Sequence, residues 1–198
     1  MAYIFSKIAK EGNAAGFAPS KTAEARKWYR DAAQSVTTAN RNRLMADKAH
    51  VIGEITPNAI GRMYMFFYDP KLKEILPHYD IFPLVFPIEF YNDGFLGINL
   101  HYLPPVARAG LMDQLYNTTN NNKYDDSTKL NINYRFLKSA SRFSSFGPCL
   151  KRYLYSQIKS GYLYIEPSNW DIAIMLPTER FKKQSKSTVQ ESVSKGLR

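Results

Sequence analysis

Apolar and aromatic residues gather into three runs between Gly61 and Leu103, with turn signals separating them. The first, Gly61–Tyr68, reads as a strand that stops at Asp69-Pro70-Lys71, where Pro presets φ and Asp can bond its own backbone. The second, Phe82–Phe90, carries Pro83 and Pro87. Neither proline can donate to a ladder, so both belong at an edge or a bulge. Asn92-Asp93-Gly94 lies between two apolar runs and predicts a hairpin whose turn needs a positive φ. The third run, Phe95–Tyr102, returns as a strand in which Gly97 marks a bulge or a close backbone approach. Bends this tight favour a small, curved antiparallel sheet over a flat one.

Past Leu103-Pro104-Pro105 the period changes. Val106–Tyr116 places Ala107, Leu111 and Leu115 on one helical stripe. Asp126 or Ser127 caps a helix to about Phe143, with Leu130, Tyr134 and Leu137 on its buried face. Pro148 opens another to about Ser160, with Leu150, Leu154 and Ile158 inward. Tyr162–Ile165 alternates as a short strand, and Ser168 and Asp171 have capping-box spacing. Before residue 60 the clearest element is a helix over Thr22–Gln34, capped by Thr22 and docked by Trp28. The Gly-rich EGNAAGFAPS ahead of it reads as flexible, an arm that either reaches a neighbouring subunit or folds on its own domain. The polar, basic sequence from Lys182 onward reads as a mobile tail. The expected organisation is an N-terminal arm over 1–59 with one short helix, then a globular α+β domain over 60–181, then a basic tail over 182–198. Within the domain, 60–103 is β-rich and 104–181 mainly helical.

Composition narrows the chemistry more than it names it. A chain of 198 residues, 44% hydrophobic, can bury one continuous core. The single Cys149 excludes an internal disulfide, fits synthesis in a reducing cytosol, and reads as a buried structural thiol. No stretch approaches the ~18–20 apolar residues of a membrane span, and the start has too short an apolar run for a signal peptide. A His–Asp or metal site can be drawn from His78, His101 and Asp80, but the histidines lack ligand spacing, and ordinary hydrogen-bonded histidine is the simpler reading. P-loop, GxGxxG and GxSxG patterns are absent, so neither an enzyme nor a cofactor nor a bound metal is expected.

Charge adds a partner class. The net charge of +10 is divided as +4 over residues 1–59, −2 over 60–120 and +8 over 121–198. Arg135, Lys138 and Arg142 recur at helical spacing, Lys151, Arg152 and Lys159 follow, and Arg180, Lys182, Lys183 and Lys186 begin the tail. Such a series can track phosphates without reading bases, with Tyr153 and Tyr155 available for stacking. A solvated basic face over core tyrosines is the plainer alternative.

The run GRMYMFFYDPK, then LPHYDIFPLVFPIEFYNDGFLGINLHYLPPVARAGLMDQLY, resembles minor virion proteins of contractile-tailed phages related to the T-even group. The later SASRF and PCLKRYLYSQIKSGYLYIEPSNWDIAIMLPTERF, and ARKWYR near the start, are similar to the same family, so the resemblance spans roughly residues 24–190. These proteins are DNA end protectors of the head-completion type. The resemblance implies a virion protein at the head–tail vertex, made in the host bacterial cytoplasm, that shields the packaged DNA end. Its implied partners are portal, neck or tail subunits in a symmetric assembly, and a double-stranded DNA end, with no membrane. The alternative is an assembly component of the neck, tail or baseplate that does not bind DNA. The strand–long loop–hairpin order also resembles small SH3-like barrels, so the implied fold is an SH3-like partial barrel followed by helices.

Overall fold

The computed structural model describes residues 3–17, 22–119, 125–142 and 144–196. It is a mixed α and β fold built on an antiparallel sheet of six strands. These are β1 (Val51–Ile52), β2 (Met63–Met65), β4 (Leu84–Tyr91), β5 (Gly94–Asn99), β6 (Leu150–Leu154) and β7 (Tyr162–Ile165), in the order β1-β7-β2-β4-β5-β6. A separate ribbon pairs β3 (Tyr79–Asp80) with β8 (Phe181–Lys182). Helices α1 (Tyr3–Ala14), α2 (Ala23–Gln34), α3 (Arg41–Met45), α4 (Pro105–Thr119), α5 (Asp126–Ala140), α6 (Trp170–Ala173) and α7 (Lys186–Gly196) complete it.

Period-two alternation divides the sheet into two buried faces. Met63, Met65, Leu84, Phe86, Ile98, Leu163 and Ile165 join the helices in the larger core. The opposite face is aromatic: Tyr64, Phe66, Tyr68, Phe95, Tyr153 and Tyr162. Phe66 meets Tyr153 edge-on at 5.2 Å, and Phe95 lies 6.4 Å from Tyr162. Strands β5 and β7 are three positions apart, about 14 Å in a flat sheet at the usual strand spacing. The sheet therefore curls tightly over its aromatic face, as the turn pattern predicts, without closing into a barrel.

The β4–β5 hairpin forms with Tyr91 opposite Gly94 and a register shift between Pro87 and Glu89, so the bulge expected at Pro87 is present. The turn itself contains no positive φ. Gly94 answers a different constraint, since a Cβ there would lie 1.9 Å from the Tyr153 carbonyl oxygen. Gly97 meets the expected close approach, with Val85 Cγ1 2.3 Å from where its Cβ would sit.

Several expectations are corrected. Leu150–Leu154 is a strand on the edge of β5, not the start of a helix. Its residues satisfy both periods, and the free edge of β5 decides between them. The segment expected as an extended arm forms α1 to α3. Phe5, Ile8 and Gly12 share a buried stripe, and Gly12 leaves room for the Tyr29 ring. Thr22 caps α2 as expected, accepting from the Ala25 N–H at 3.0 Å, and Trp28 stacks on Phe17. The polar end is α7, anchored by buried Val189 and Val193, instead of a mobile tail. Helix α5 is capped one residue earlier than expected, by Asp125, whose carboxylate accepts from the Thr128 N–H at 2.7 Å. It ends at Ala140, and Phe143 lies outside the described residues. The N-cap position of α6 is Asn169, one residue past Ser168, and Asp171 is buried, its carboxylate accepting from Arg30 Nε at 2.6 Å. Arg30 also reaches Asp113 at 2.7 Å, tying α2 to α4 and α6.

A buried polar network joins the far parts of the chain. Asp80 is fully buried and accepts from His101 Nδ1 at 2.6 Å, Asn99 Nδ2 at 3.3 Å, and the N–H groups of Phe82 at 3.0 Å and Arg180 at 3.2 Å. His101 Nε2 meets the Thr178 hydroxyl at 3.1 Å. Arg108, 1% exposed on the apolar stripe of α4, donates to the carbonyls of Leu103, Ile174 and His101 and to Glu179 at 3.2 Å. Lys186 of α7 pairs with the same carboxylate. Burial pushes Glu179 upward, but His101, Arg108 and Lys186 outweigh it and hold its carboxyl at about 2. Asp80 likewise ends below its ordinary value, because His101 and its backbone donors overcome burial.

Two consequences are measurable. Replacing Arg108 by Met removes its hydrogen bonds to three buried carbonyls and to Glu179, which keeps Lys186 as its remaining partner, so urea unfolding should show a loss of about 3–5 kcal/mol. The depressed carboxylates bind protons less readily in the folded chain than in the unfolded one. Their stabilisation is complete above the ordinary Glu value of 4.5 and disappears as pH falls toward about 2. Asp171, raised by burial, opposes this in part. The Glu179→Gln variant should lose on the order of 3 kcal/mol at pH 7, and its stability curve should meet the wild-type curve near the acid limit.

Candidate nucleic-acid interface

The cations read from the sequence do not form one surface of one kind. Arg135 and Arg142 are exposed on and just beyond α5, and neither forms an ion pair among the described residues. Lys138, on the same helix, is engaged: its ammonium donates to the Tyr134 hydroxyl at 3.0 Å and lies 3.7 Å from Glu89. The strand geometry of β6 separates Lys151 from Arg152, which a helix would have kept together, by sending alternate residues to opposite faces. Arg152 covers the Tyr91 ring at 3.7 Å and pairs with Asp93 at the hairpin tip. Glu89, Tyr91 and Asp93 thus take up part of the charge expected for binding. Lys159 and Lys182 are exposed. Lys183 carries the one positive φ of a non-glycine residue among those described, 69°, and its ammonium donates to the carbonyls of Glu74 at 2.7 Å and Leu76 at 2.9 Å. These bonds tie it to the loop ahead of β3.

Lys151 lies opposite Gly97 in register, on the same face of β6 as Tyr153. The ammonium lies 4.2 Å above the Tyr102 ring, at a cavity of about 210 Å³ lined also by Tyr68, His78, Asn99 and Tyr153. Burial lowers the Lys151 pKa, and burial together with Lys151 lowers that of His78. His78 Nδ1 is buried without a hydrogen-bond partner. Such a cavity can receive an anionic or planar group against tyrosine rings. Tyr153 serves this wall and the aromatic core; Tyr155 packs on Phe95 at 6.2 Å.

The remaining candidates fall into place simply. Cys149 is fully buried, and burial raises its thiol to about 12, which keeps it neutral and structural. His101, not His78, is the partner of Asp80. Among the described residues no group of three His, Cys, Asp or Glu side chains could hold a metal ion, and no helix is long and apolar enough to cross a membrane. Sequence reasoning counted Arg180 among the basic series but missed Arg41 and its pairing with Arg180, both of which face a cleft at residues 38–42. They stand 139 positions apart in the chain. No local signal could have joined them.

No curated protein and no solved structure matches the chain. A family model described as the phage T4 terminal DNA protecting protein matches residues 7–196, which takes in both the helices before the sheet and α7. With nearly its whole length matched, the chain belongs to the phage T4 terminal DNA protecting protein family.

Proposed function

We propose that the protein binds double-stranded DNA without sequence preference and covers its terminus, working as a virion component at the head–tail vertex beside portal, neck or tail subunits. The observation that carries this reading is the family match over residues 7–196. Charge supports it: the +10 excess lies outside the segment 60–120. Cations without an acidic partner among the described residues, Arg135 and Arg142 first, supply phosphate contacts, while the cavity at Lys151 offers a place for a group at a strand end. Lys159 and Lys182 extend the contact, and Lys138, Arg152 and Lys183 act mainly through their own internal partners. The curl of the sheet over its aromatic face supports reading it as an SH3-like partial barrel. Binding of this kind reads the backbone, so it should weaken steeply with salt.

A gel shift with linear and closed circular duplexes across a salt series tests the reading. Retention of linear DNA at about 50–100 mM salt, competed by linear and not by circular DNA, is the expected outcome. Failure on both forms at that salt contradicts DNA binding and favours a neck, tail or baseplate component. The Arg135→Ala, Arg142→Ala double variant should keep wild-type stability within about 0.5 kcal/mol and reduce the slope of log affinity against log salt by about 2.

A further inference from the structure

Arg41 begins α3 and is held by the main chain of a distant segment. Its Nε donates to the Thr178 carbonyl at 2.8 Å and its Nη2 to the Glu179 carbonyl at 2.9 Å. Carbonyls orient a guanidinium without neutralising it, and Nη1 makes no hydrogen bond among the described residues. The next residue of that segment is Arg180. Its N–H is fixed by Asp80 and its exposed side chain faces the same open cleft of about 390 Å³, together with Asn40, Asn42 and Phe67. No carboxylate lines the cleft. Burial, then repulsion from Arg180, push the Arg41 guanidinium below its ordinary value.

The local charge does not balance. Arg41, Arg108, Arg180 and Lys186 surround two carboxylates, Asp80 and Glu179. Glu179 is committed to Arg108 and Lys186, and Asp80 to His101, Asn99 and two backbone donors. The excess of positive charge faces the cleft. The Asn40 side-chain Oδ1 already accepts from the Arg43 N–H, which leaves its side-chain N–H₂ to donate. Two guanidinium groups, one of them pre-oriented, together with amide donors, match an anion that presents several oxygens.

We propose that the Arg41–Arg180 cleft is a phosphate-binding site. The site itself is independent of the DNA reading; only the identification of its phosphate as one belonging to DNA rests on that reading.

The test uses the full chain and inorganic phosphate first. At 10 mM phosphate the melting temperature should rise by about 3 °C over sodium chloride of equal ionic strength, as millimolar affinity would give. The rise should vanish in Arg180→Ser, an exposed substitution that keeps the backbone bond to Asp80, and persist in part in Arg180→Lys. Equal melting temperatures in phosphate and chloride overturn the proposal, and so does a rise undiminished in Arg180→Ser. Duplexes with 5′-phosphate or 5′-hydroxyl ends then identify the source. Affinity lost by Arg180→Ser only on phosphorylated ends assigns the cleft to a strand terminus, and equal loss on both assigns it to a phosphodiester of the backbone. If Arg180→Ser loses the phosphate effect but binds both duplexes as the wild type does, the phosphate site stands and its assignment to DNA fails.

Discussion

A carboxylate as deeply buried as Asp80 must be met by donors or protonated, because an unpaired ion in a low-dielectric interior costs several kcal/mol. The chain meets it with His101, Asn99 and the backbone of Phe82 and Arg180, drawn from two strand ends and a segment one hundred residues away. That segment, Thr178 to Arg180, is where the rest of the polar network converges. Arg41 holds two of its carbonyls, Arg108 and Lys186 hold its glutamate, and His101 holds its threonine. One stretch of three residues thereby joins α3, α4, α7 and the end of β5. Loosening any of these bonds leaves a charged group buried without its partner, so the network acts as a unit.

The same arrangement decides which cations face outward. Arg108 and Lys186 are spent on Glu179, whereas Arg41 is oriented but not neutralised, and Arg180 is set beside it by the bond from its own N–H to Asp80. The aromatic face of the curled sheet sets the second cavity, which Asp80 also lines. Gly94 and Gly97 let β6 and β4 approach, and Lys151 lies over the Tyr102 ring.

Legibility followed the range of the interaction. The hairpin at Asn92-Asp93 and the Thr22 cap depend on neighbours a few residues away, and the close approach at Gly97 and the buried Cys149 follow from residue type, so each could be read. Leu150–Leu154 was misread because its apolar spacing suits a helix as well as a strand, and only the free edge of β5 settles the matter. Helices α1 and α7 were missed because each is anchored by two or three residues in otherwise polar sequence. Arg108 did leave a sign: it shares the stripe of Leu111 and Leu115, where a charged residue implies a buried partner. The pairing of Asp80 with Arg180, or of Arg41 with its carbonyls, left none. Counting cations could point to a polyanion but could not tell Lys183, occupied by two carbonyls, from Arg142, exposed and without an ion pair among the described residues.

Protection of a DNA end is the property that unites the family match with the charge pattern, and it can be measured directly. Linear duplex preincubated with the protein at moderate salt is challenged with a processive double-strand exonuclease, and the surviving full-length fraction is followed in time. The account predicts that termini stay intact at protein concentrations that saturate ends, and that protection fades as salt is raised. Digestion at the rate of naked DNA, by an exonuclease shown to be unaffected by the folded protein, would contradict it.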